Sequence, residues 1–305
     1  MKFPLSKYIW FDGKLVPVNM AKVPVTTHAI HYGTSIFEGI RAYWNSKNLH
    51  VFRLKDHVKR FRNSGKFYNI KLNFSDRQIE NAVIDLCKKN KIKKSCYIRP
   101  FYFVGQYGIN FHVTQKAPTH TAIFAFPFGD LFNKNGITAT ISKWRKFSDM
   151  STPTQAKMGG NYLNSILATQ DAKQRGFDEA ILLDQSGNVS EAPGENIFLV
   201  KNNKLVTPSL SSSALDGITR RSIITLAKDM KLKIKTQKVS KKELKMADEI
   251  FLSGTAAEIT PVIKIDKKKI GEGKVGNITK LFMATYSDIV MNKSENYSHW
   301  LTTVY

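Results

Sequence analysis

Apolar residues recur along this chain with a period that changes several times. YIWF, then Asp12-Gly13, then KLVPV reads as a hairpin around a tight turn. IRAYW and LHVFR, on either side of Asn45 to Asn48, read as another. The period then lengthens: Val58, Phe61 and Phe67 in HVKRFRNSGKFYNI fall at helical spacing. Ser75 is placed to cap a helix from Asp76 to about Asn90, with Ile79, Val83 and Leu86 on one face. CYIRPFYFVG and TAIFAFPF are aromatic-rich strands. After a break near Gly129 to Gly136, GITATISKW reads as a strand and is followed by a polar loop containing Pro153. A helix is expected from about Asn161 to Arg175, then strand EAILLD and the turn Gln185 to Asn188. NIFLV and KLVTP are strands joined by Asn202-Asn203. Gly217 opens a helix to about Met230, KLKIKTQKV and EIFLSG are strands, and a last helix covers roughly Ile278 to Met291.

This order predicts a small α+β domain over residues 1–128, a linker over 129–136 and a larger α/β or α+β domain over 137–305. A cleft between domains is the default place for a site. The length of 305 residues is ample for a buried core.

Composition narrows the function classes. No apolar run approaches the roughly 18 residues of a membrane span. The opening MKFPLSKYIWFDGK lacks a signal-peptide shape. Cys87 and Cys96 form no CxxC pair and are expected to be buried reduced thiols, which fits a cytoplasmic protein. The formal net charge of +23 raises nucleic-acid binding as a rival function. The excess is mostly lysine and widely spread, densest from Lys228 to Lys245 and at Lys267-Lys268-Lys269, with no RNP, zinc-finger or basic-aromatic module beside it.

Lys157 is the residue with the oddest address. In QAKMGGNYLNSILA it stands between a polar loop and two glycines that precede a helical pattern. Taken alone it is one surface lysine among many. A helix N-terminus carries partial positive charge, which disfavours a cation there. Positive potential and loss of water both lower a lysine's pKa, and a nucleophilic lysine must be uncharged. An amine that bonds an aldehyde cofactor also needs an acid to hold the ring nitrogen protonated and a cradle for phosphate. Glu191 and Glu195 lie in VSEAPGENIF between two apolar strands, where acids are usually solvated. Asp216-Gly217-Ile218-Thr219 opens a helix whose N–H groups can bind phosphate, although an ordinary cap is the commoner case. Ser253-Gly254-Thr255 at a strand end offers a second nest of donors, and Arg60 a bidentate partner. HExxH, Walker and GxSxG patterns are absent, so metal ligation and serine hydrolysis rank low.

The motifs HAIHYGTSIFEGIRAY, VFRLKDHVKRF, YIRPFYFVG, AKMGGNYLNS, VSEAPGENIF, SSALDGITRRSI and FLSGTAAEITPV, in this order, resemble those of branched-chain-amino-acid aminotransferases. These are fold-type IV pyridoxal-phosphate enzymes. The resemblance runs from Tyr8 to about Thr279. It implies a two-domain α+β / α/β fold with the active site in the cleft between a small N-terminal and a larger C-terminal domain. It implies amino-group transfer between L-leucine, L-isoleucine or L-valine and 2-oxoglutarate, by a ping-pong route with pyridoxal 5′-phosphate. Lys157 matches the lysine that bonds the cofactor and shuttles the proton. Glu191 matches the acid on the ring nitrogen, Tyr162 the tyrosine on the ring hydroxyl, and Leu215 a residue packing on the ring. Arg60, Ile218, Thr219 and Thr255 match the phosphate-binding set. Tyr32, Tyr97, Arg99, Thr255, Ala256 and Ala257 match the substrate side, and Phe37 an apolar wall.

The resemblance further implies a homodimer or larger homo-oligomer, with a neighbour's loop around Ile109 to Phe111 near the pocket, and no nucleic-acid or membrane partner. Same-fold rivals are a D-amino-acid aminotransferase and an aminodeoxychorismate lyase; YIRP with GTAAEITP argues against both. Four positions depart from the family pattern. Phe128 and Leu131 stand where Trp and Tyr are common, Ala192 occupies a glycine position, and Asp216 replaces a proline. Ala192 would be strained if its position needs positive φ, and Asp216 brings negative charge toward the phosphate.

Overall fold

The computed structural model describes residues 6–305. The start of the segment read for a signal peptide therefore lies outside the described residues. The chain forms two compact units. The first contains the chain up to Gly129, together with Ala156–Gly160 and Asp288–Tyr305. The second contains Asp130–Gln155 and Asn161–Ser287. An uninterrupted large domain over 137–305 is thus corrected at two places. The lysine segment and the C-terminus make their contacts in the first unit.

The first unit is a sheet with helices on one face. Its strands are β1 (Tyr8–Phe11), β2 (Lys14–Pro17), β3 (Ser35–Phe37), β4 (Ile40–Trp44), β5 (Leu49–Phe52), β6 (Cys96–Val104) and β7 (Thr119–Pro127). A short helix α1 covers His28–Tyr32; α2 (Leu54–Lys66) and α3 (Asp76–Lys89) follow. The predicted Asp12-Gly13 turn and the Asn45 to Asn48 turn both close antiparallel pairs. Ser75 caps α3 as expected, in a capping box with Gln78. The helix expected to reach Phe67 ends one residue early: α2 stops at Lys66 and Phe67 is exposed.

Strand β6 shows how the unit sorts its faces. Ile98, Tyr102 and Val104 join Val58, Phe61, Ile79, Val83 and Leu86 of the helices in one core. Each such side chain contributes roughly 1.5–3 kcal/mol on burial. The alternate residues Tyr97, Arg99, Phe101 and Phe103 take the other face by the two-residue period of a strand.

The second unit holds β8 (Ile137–Arg145), α4 (Tyr162–Gln174), β9 (Glu179–Leu183), β10 (Asn196–Lys201), β11 (Lys204–Pro208), α5 (Ile218–Asp229), β12 (Ile234–Gln237), α6 (Lys241–Lys245), β13 (Glu249–Gly254), β14 (Glu258–Ile265) and β15 (Lys268–Lys269). Its sheet runs β12-β11-β10-β13-β14-β8-β9, with β15 against β14. Parallel pairs β8/β9 and β11/β12 mix with antiparallel ones. Asn202 and Asn203 adopt φ of 48° and 56° to close the β10/β11 hairpin, a conformation asparagine tolerates. The helix α7 (Asn277–Val290) leads back to the first unit, where β16 (Leu301–Thr303) adds an edge strand beside β5. Strands β3, β14 and β16 and helices α1 and α6 are not evident from periodicity because they are short or lack alternation. Among the described residues no helix is long and apolar enough to cross a membrane.

Candidate active site

In the first unit the candidate chemistry is built on one face of α2. His57, Arg60, Phe61 and Ser64 recur at helical spacing, so four side chains share a face. Glu38 follows β3 and is fully buried. Its Oε1 accepts from Arg60 Nε at 2.7 Å; its Oε2 accepts from Arg60 Nη2 at 2.8 Å and from His57 Nδ1 at 2.7 Å. Burial works against the Glu38 charge. The Arg60 guanidinium and the hydrogen bonds from Arg60 and His57 outweigh it and hold the carboxyl well below the usual carboxylate range. His57 is pushed down by burial, so it stays a neutral donor at ordinary pH. The fork fixes the orientation of Arg60.

Lys157 lies beside this device. Its N–H donates to Ser64 Oγ at 3.0 Å, and its carbonyl accepts from Phe37 N–H at 3.1 Å. A β-bridge joins Ile36 to Met158. Both backbone groups of the lysine are therefore clamped by residues nearly a hundred positions away or more. Its ammonium sits over the Phe37 ring, 4.8 Å from the centroid. Its pKa is lowered to about 8, by burial first and then by the Arg60 charge. Glu38 acts the other way but is already engaged by Arg60 and His57. The shift thus comes from burial and a guanidinium, which corrects the helix N-terminus expected from the sequence.

The expected substrate-side residues Phe37, Tyr97 and Arg99 also gather in this unit. Arg99 donates from Nη2 to the Tyr97 hydroxyl at 3.1 Å and stacks 4.6 Å from the Phe37 ring centroid. Arg99 Nε is buried without a hydrogen-bond partner, which fits a site for an anion. Gly39 carries no side chain because a Cβ there would overlap the Tyr97 hydroxyl. Phe128 packs on Tyr97 at 5.3 Å between ring centroids. Tyr32 sits apart from this cluster: it is 38% exposed, and its ring meets that of Phe111.

In the second unit Glu191 organises the remainder. Both acids of VSEAPGENIF are buried, Glu191 at 5% exposure and Glu195 at 7%, against the solvated expectation for such a loop. Glu191 Oε2 accepts from Leu215 N–H at 2.9 Å and from Asn196 Nδ2 at 3.3 Å. Asn196 also donates to the Leu215 carbonyl at 2.8 Å. Glu191 Oε1 lies 2.6 Å from Lys146 Nζ. Burial lowers the pKa of Lys146, but the Glu191 carboxylate outweighs this and the net shift is upward. Tyr162, the first residue of α4, adds to the rise.

The start of α5 is open in the way an anion site requires. Gly217 is the N-cap and no side chain accepts from the first turn. A Cβ at Gly217 would overlap Asn196 Oδ1, so the position needs glycine. Ile218 and Thr219 are buried behind it. Asp216 is drawn toward Arg220 and Arg221, at 3.4 and 3.7 Å, which offsets its charge. Thr255, Ala256 and Ala257 form the loop between β13 and β14, pinned by Thr260 Oγ1 donating to the Ala257 carbonyl at 2.8 Å. Beside that loop the buried Ser253 hydroxyl has no hydrogen-bond partner. Ala192 is buried and lies outside the positive-φ residues, so the feared strain is absent. Leu131 is 46% exposed.

These residues suit pyridoxal phosphate. In the first unit a lysine with a depressed pKa suits an aldehyde; in the second a buried carboxylate suits a ring nitrogen, and a helix N-terminus without a side-chain cap and a serine hydroxyl without a partner among the described residues suit a phosphate. Sequence reasoning missed Glu38, His57, Ser64, Asn196 and Lys146. The helical spacing of His57 and Ser64 around Arg60 could have exposed those two. Nothing marks Lys146 among so many lysines.

Residues 35–265 match the family model of the class IV amino-transferases. The branched-chain-amino-acid aminotransferase of Salmonella typhimurium is 42% identical over 303 residues, covering 98% of this chain and 98% of that protein. The crystal structure of the Escherichia coli branched-chain amino acid aminotransferase superposes with a TM-score of 0.95 at 42% identity, over 98% of this chain and 100% of that one. That of the Thermobaculum terrenum branched-chain amino acid aminotransferase in its PLP-bound holo form gives 0.93 at 33% identity, over 99% of each chain.

Proposed function

The chain belongs to the class IV aminotransferases, and within them to the branched-chain-amino-acid aminotransferases; from this premise we propose that it moves an amino group between L-leucine, L-isoleucine or L-valine and 2-oxoglutarate, with pyridoxal 5′-phosphate as cofactor. The observation that carries the reading is Lys157. Among the described residues it is the lysine whose pKa is lowered, to about 8, and its backbone is clamped on both sides. When bound, the cofactor supplies an aldehyde carbon for an amine and an electron sink for charge developing at the substrate α-carbon. Lys157 Nζ would hold the cofactor through its aldehyde carbon and, as a free amine, would carry the α-carbon proton. Glu191 would hold the proton on the ring nitrogen, with Tyr162 at the ring hydroxyl and Leu215 against the ring. The N–H groups of Ile218 and Thr219, the hydroxyls of Thr219 and Thr255, and Arg60 would hold the phosphate.

Arg99 and Tyr97 answer the second substrate. The enzyme must accept an aliphatic side chain in one half-reaction and a carboxylate in the other. A carboxylate buried without a partner is strongly disfavoured, and an arginine beside a tyrosine hydroxyl removes that obstacle. Phe37 and the Ala256-Ala257 backbone serve the aliphatic chain. The working form is a homodimer or larger homo-oligomer, to which the loop of Ile109 (80% exposed) and Phe111 (81% exposed) contributes, with Tyr32 beside it. Two free buried cysteines, Cys87 and Cys96, fit a cytoplasmic setting.

The test is chemical. Purified protein should absorb in the visible, and borohydride should fix one pyridoxyl group to the Lys157 peptide. A label mapping elsewhere rejects the assignment. Lys157→Ala should lose at least about 10³-fold of leucine–2-oxoglutarate transamination, as removal of a base and nucleophile predicts. Turnover of D-amino acids in preference to L-leucine would favour a D-amino-acid aminotransferase.

A further inference from the structure

The lysine-dense stretch from Lys228 to Lys245 has no part in amino-group transfer, yet it folds into a defined place. Strand β12 pairs with β11, and β11 with β10. The register sets Lys201 directly opposite Lys204, and Val206 opposite Lys235. Lys233 stands level with this row, its carbonyl accepting from Leu205 N–H at 2.8 Å. The two-residue period puts Lys233, Lys235 and Gln237 on the face that carries Lys204 and Val206.

Over this face lies a cavity of about 560 Å³, walled on its other side by Val239, Met246 and Ala247. Lys201 is answered by Asp248, 2.7 Å away. Glu243, the carboxylate in the lining, is engaged by Ser240 N–H and Oγ, each at 2.7 Å. Lys204, Lys233 and Lys235 have no carboxylate partner among the described residues.

We propose that this groove is a second small-molecule site, taking an aliphatic phosphate: a short alkyl body with a dianionic head. Three ammoniums supply point charges suited to phosphate. The apolar wall, with Met246 51% exposed at its rim, takes the body. The lining contains neither an aromatic ring nor an arginine, so it offers no stacking surface for a nucleobase. The volume falls within the roughly 300–1,000 Å³ of small-molecule sites. The site belongs to the second unit alone and does not depend on the aminotransferase reading.

The test is calorimetric titration of the holoenzyme with hexyl phosphate, inorganic phosphate and hexanol, at low and high salt. Saturable binding of hexyl phosphate is expected, one per chain, weakened by salt and tighter than either fragment. The triple variant Lys204→Gln, Lys233→Gln, Lys235→Gln should bind it about tenfold more weakly or worse while keeping transamination. Met246→Glu should weaken hexyl phosphate more than inorganic phosphate. Equal affinity for hexyl and inorganic phosphate would reduce the site to a charged surface and overturn the proposal. So would unchanged binding in the triple variant, or no saturable binding. Tighter, salt-sensitive binding of a single-stranded RNA that the triple variant loses would assign the face to nucleic acid instead.

Discussion

Lys157 in the first unit and Lys146 in the second meet the same physics with opposite outcomes. Burial lowers the pKa of each. Lys146 has Glu191 at 2.6 Å, and the net shift is upward. Lys157 has a carboxylate in its surroundings too, but Glu38 is engaged by two bonds from Arg60 and one from His57. The Arg60 guanidinium then weighs against the lysine, which falls to about 8. Proximity to an acid is therefore not enough to keep a lysine's pKa high; what matters is whether another cation already holds that acid. In the second unit acid and lysine hold each other's charge; in the first the lysine's basicity is lowered.

The largest effect is expected from freeing Arg60. Glu38→Gln leaves a guanidinium buried without its anion and should cost about 3–5 kcal/mol of stability by urea denaturation. The variant should also carry a Lys157 pKa lower than the parent's, because Glu38 raises it more than Tyr97, the other group that does. An unchanged or higher value, read from pH-dependent acylation of the cofactor-free protein, would contradict the argument.

In the second unit, Lys146→Met removes the cation at Glu191. A loss of about 2–4 kcal/mol is expected, somewhat below the fully buried figure because Leu215 N–H and Asn196 Nδ2 still answer Glu191. Added pyridoxal phosphate should recover more stability in this variant than in the parent, since a pyridinium replaces the missing charge. Equal gains in thermal melts would separate Glu191 from the cofactor.

Arg99→Ala should reduce kcat/KM for glutamate by roughly tenfold to a hundredfold more than for leucine, because only glutamate places a second carboxylate there. Equal losses would count against that role.

Another expected effect is a matter of pH. The unfolded chain holds a proton on Lys157 up to about 10.5, the folded cofactor-free protein only to about 8. Between these values the unfolded state binds more protons, so stability rises with pH across that window. Below it the cost of burying the charged lysine is fully present. The melting temperature of the parent should therefore gain on that of Lys157→Met from about pH 8 toward 10.5. A constant difference would show that folding leaves Lys157 unperturbed.

The long periodic elements were legible in the sequence: α3 with its Ser75 cap, the Asp12-Gly13 hairpin and the paired aromatic strands. Each rests on interactions a few residues apart, which local spacing records. The motif residues around Lys157, Glu191 and Gly217 were legible for the same reason, as short runs whose order matches a family. Their electrostatics were not. Glu38 lies 22 residues from Arg60 and Ser64 lies 93 from Lys157, separations over which a linear pattern carries no signal. From the sequence alone come the family, the long periodic elements and the residue types available for chemistry. Which lysine loses its usual basicity, which acid another cation already holds, and where the C-terminal segment packs are set by the tertiary structure. Those are matters of burial and of partners met through space, and a pKa is set by both.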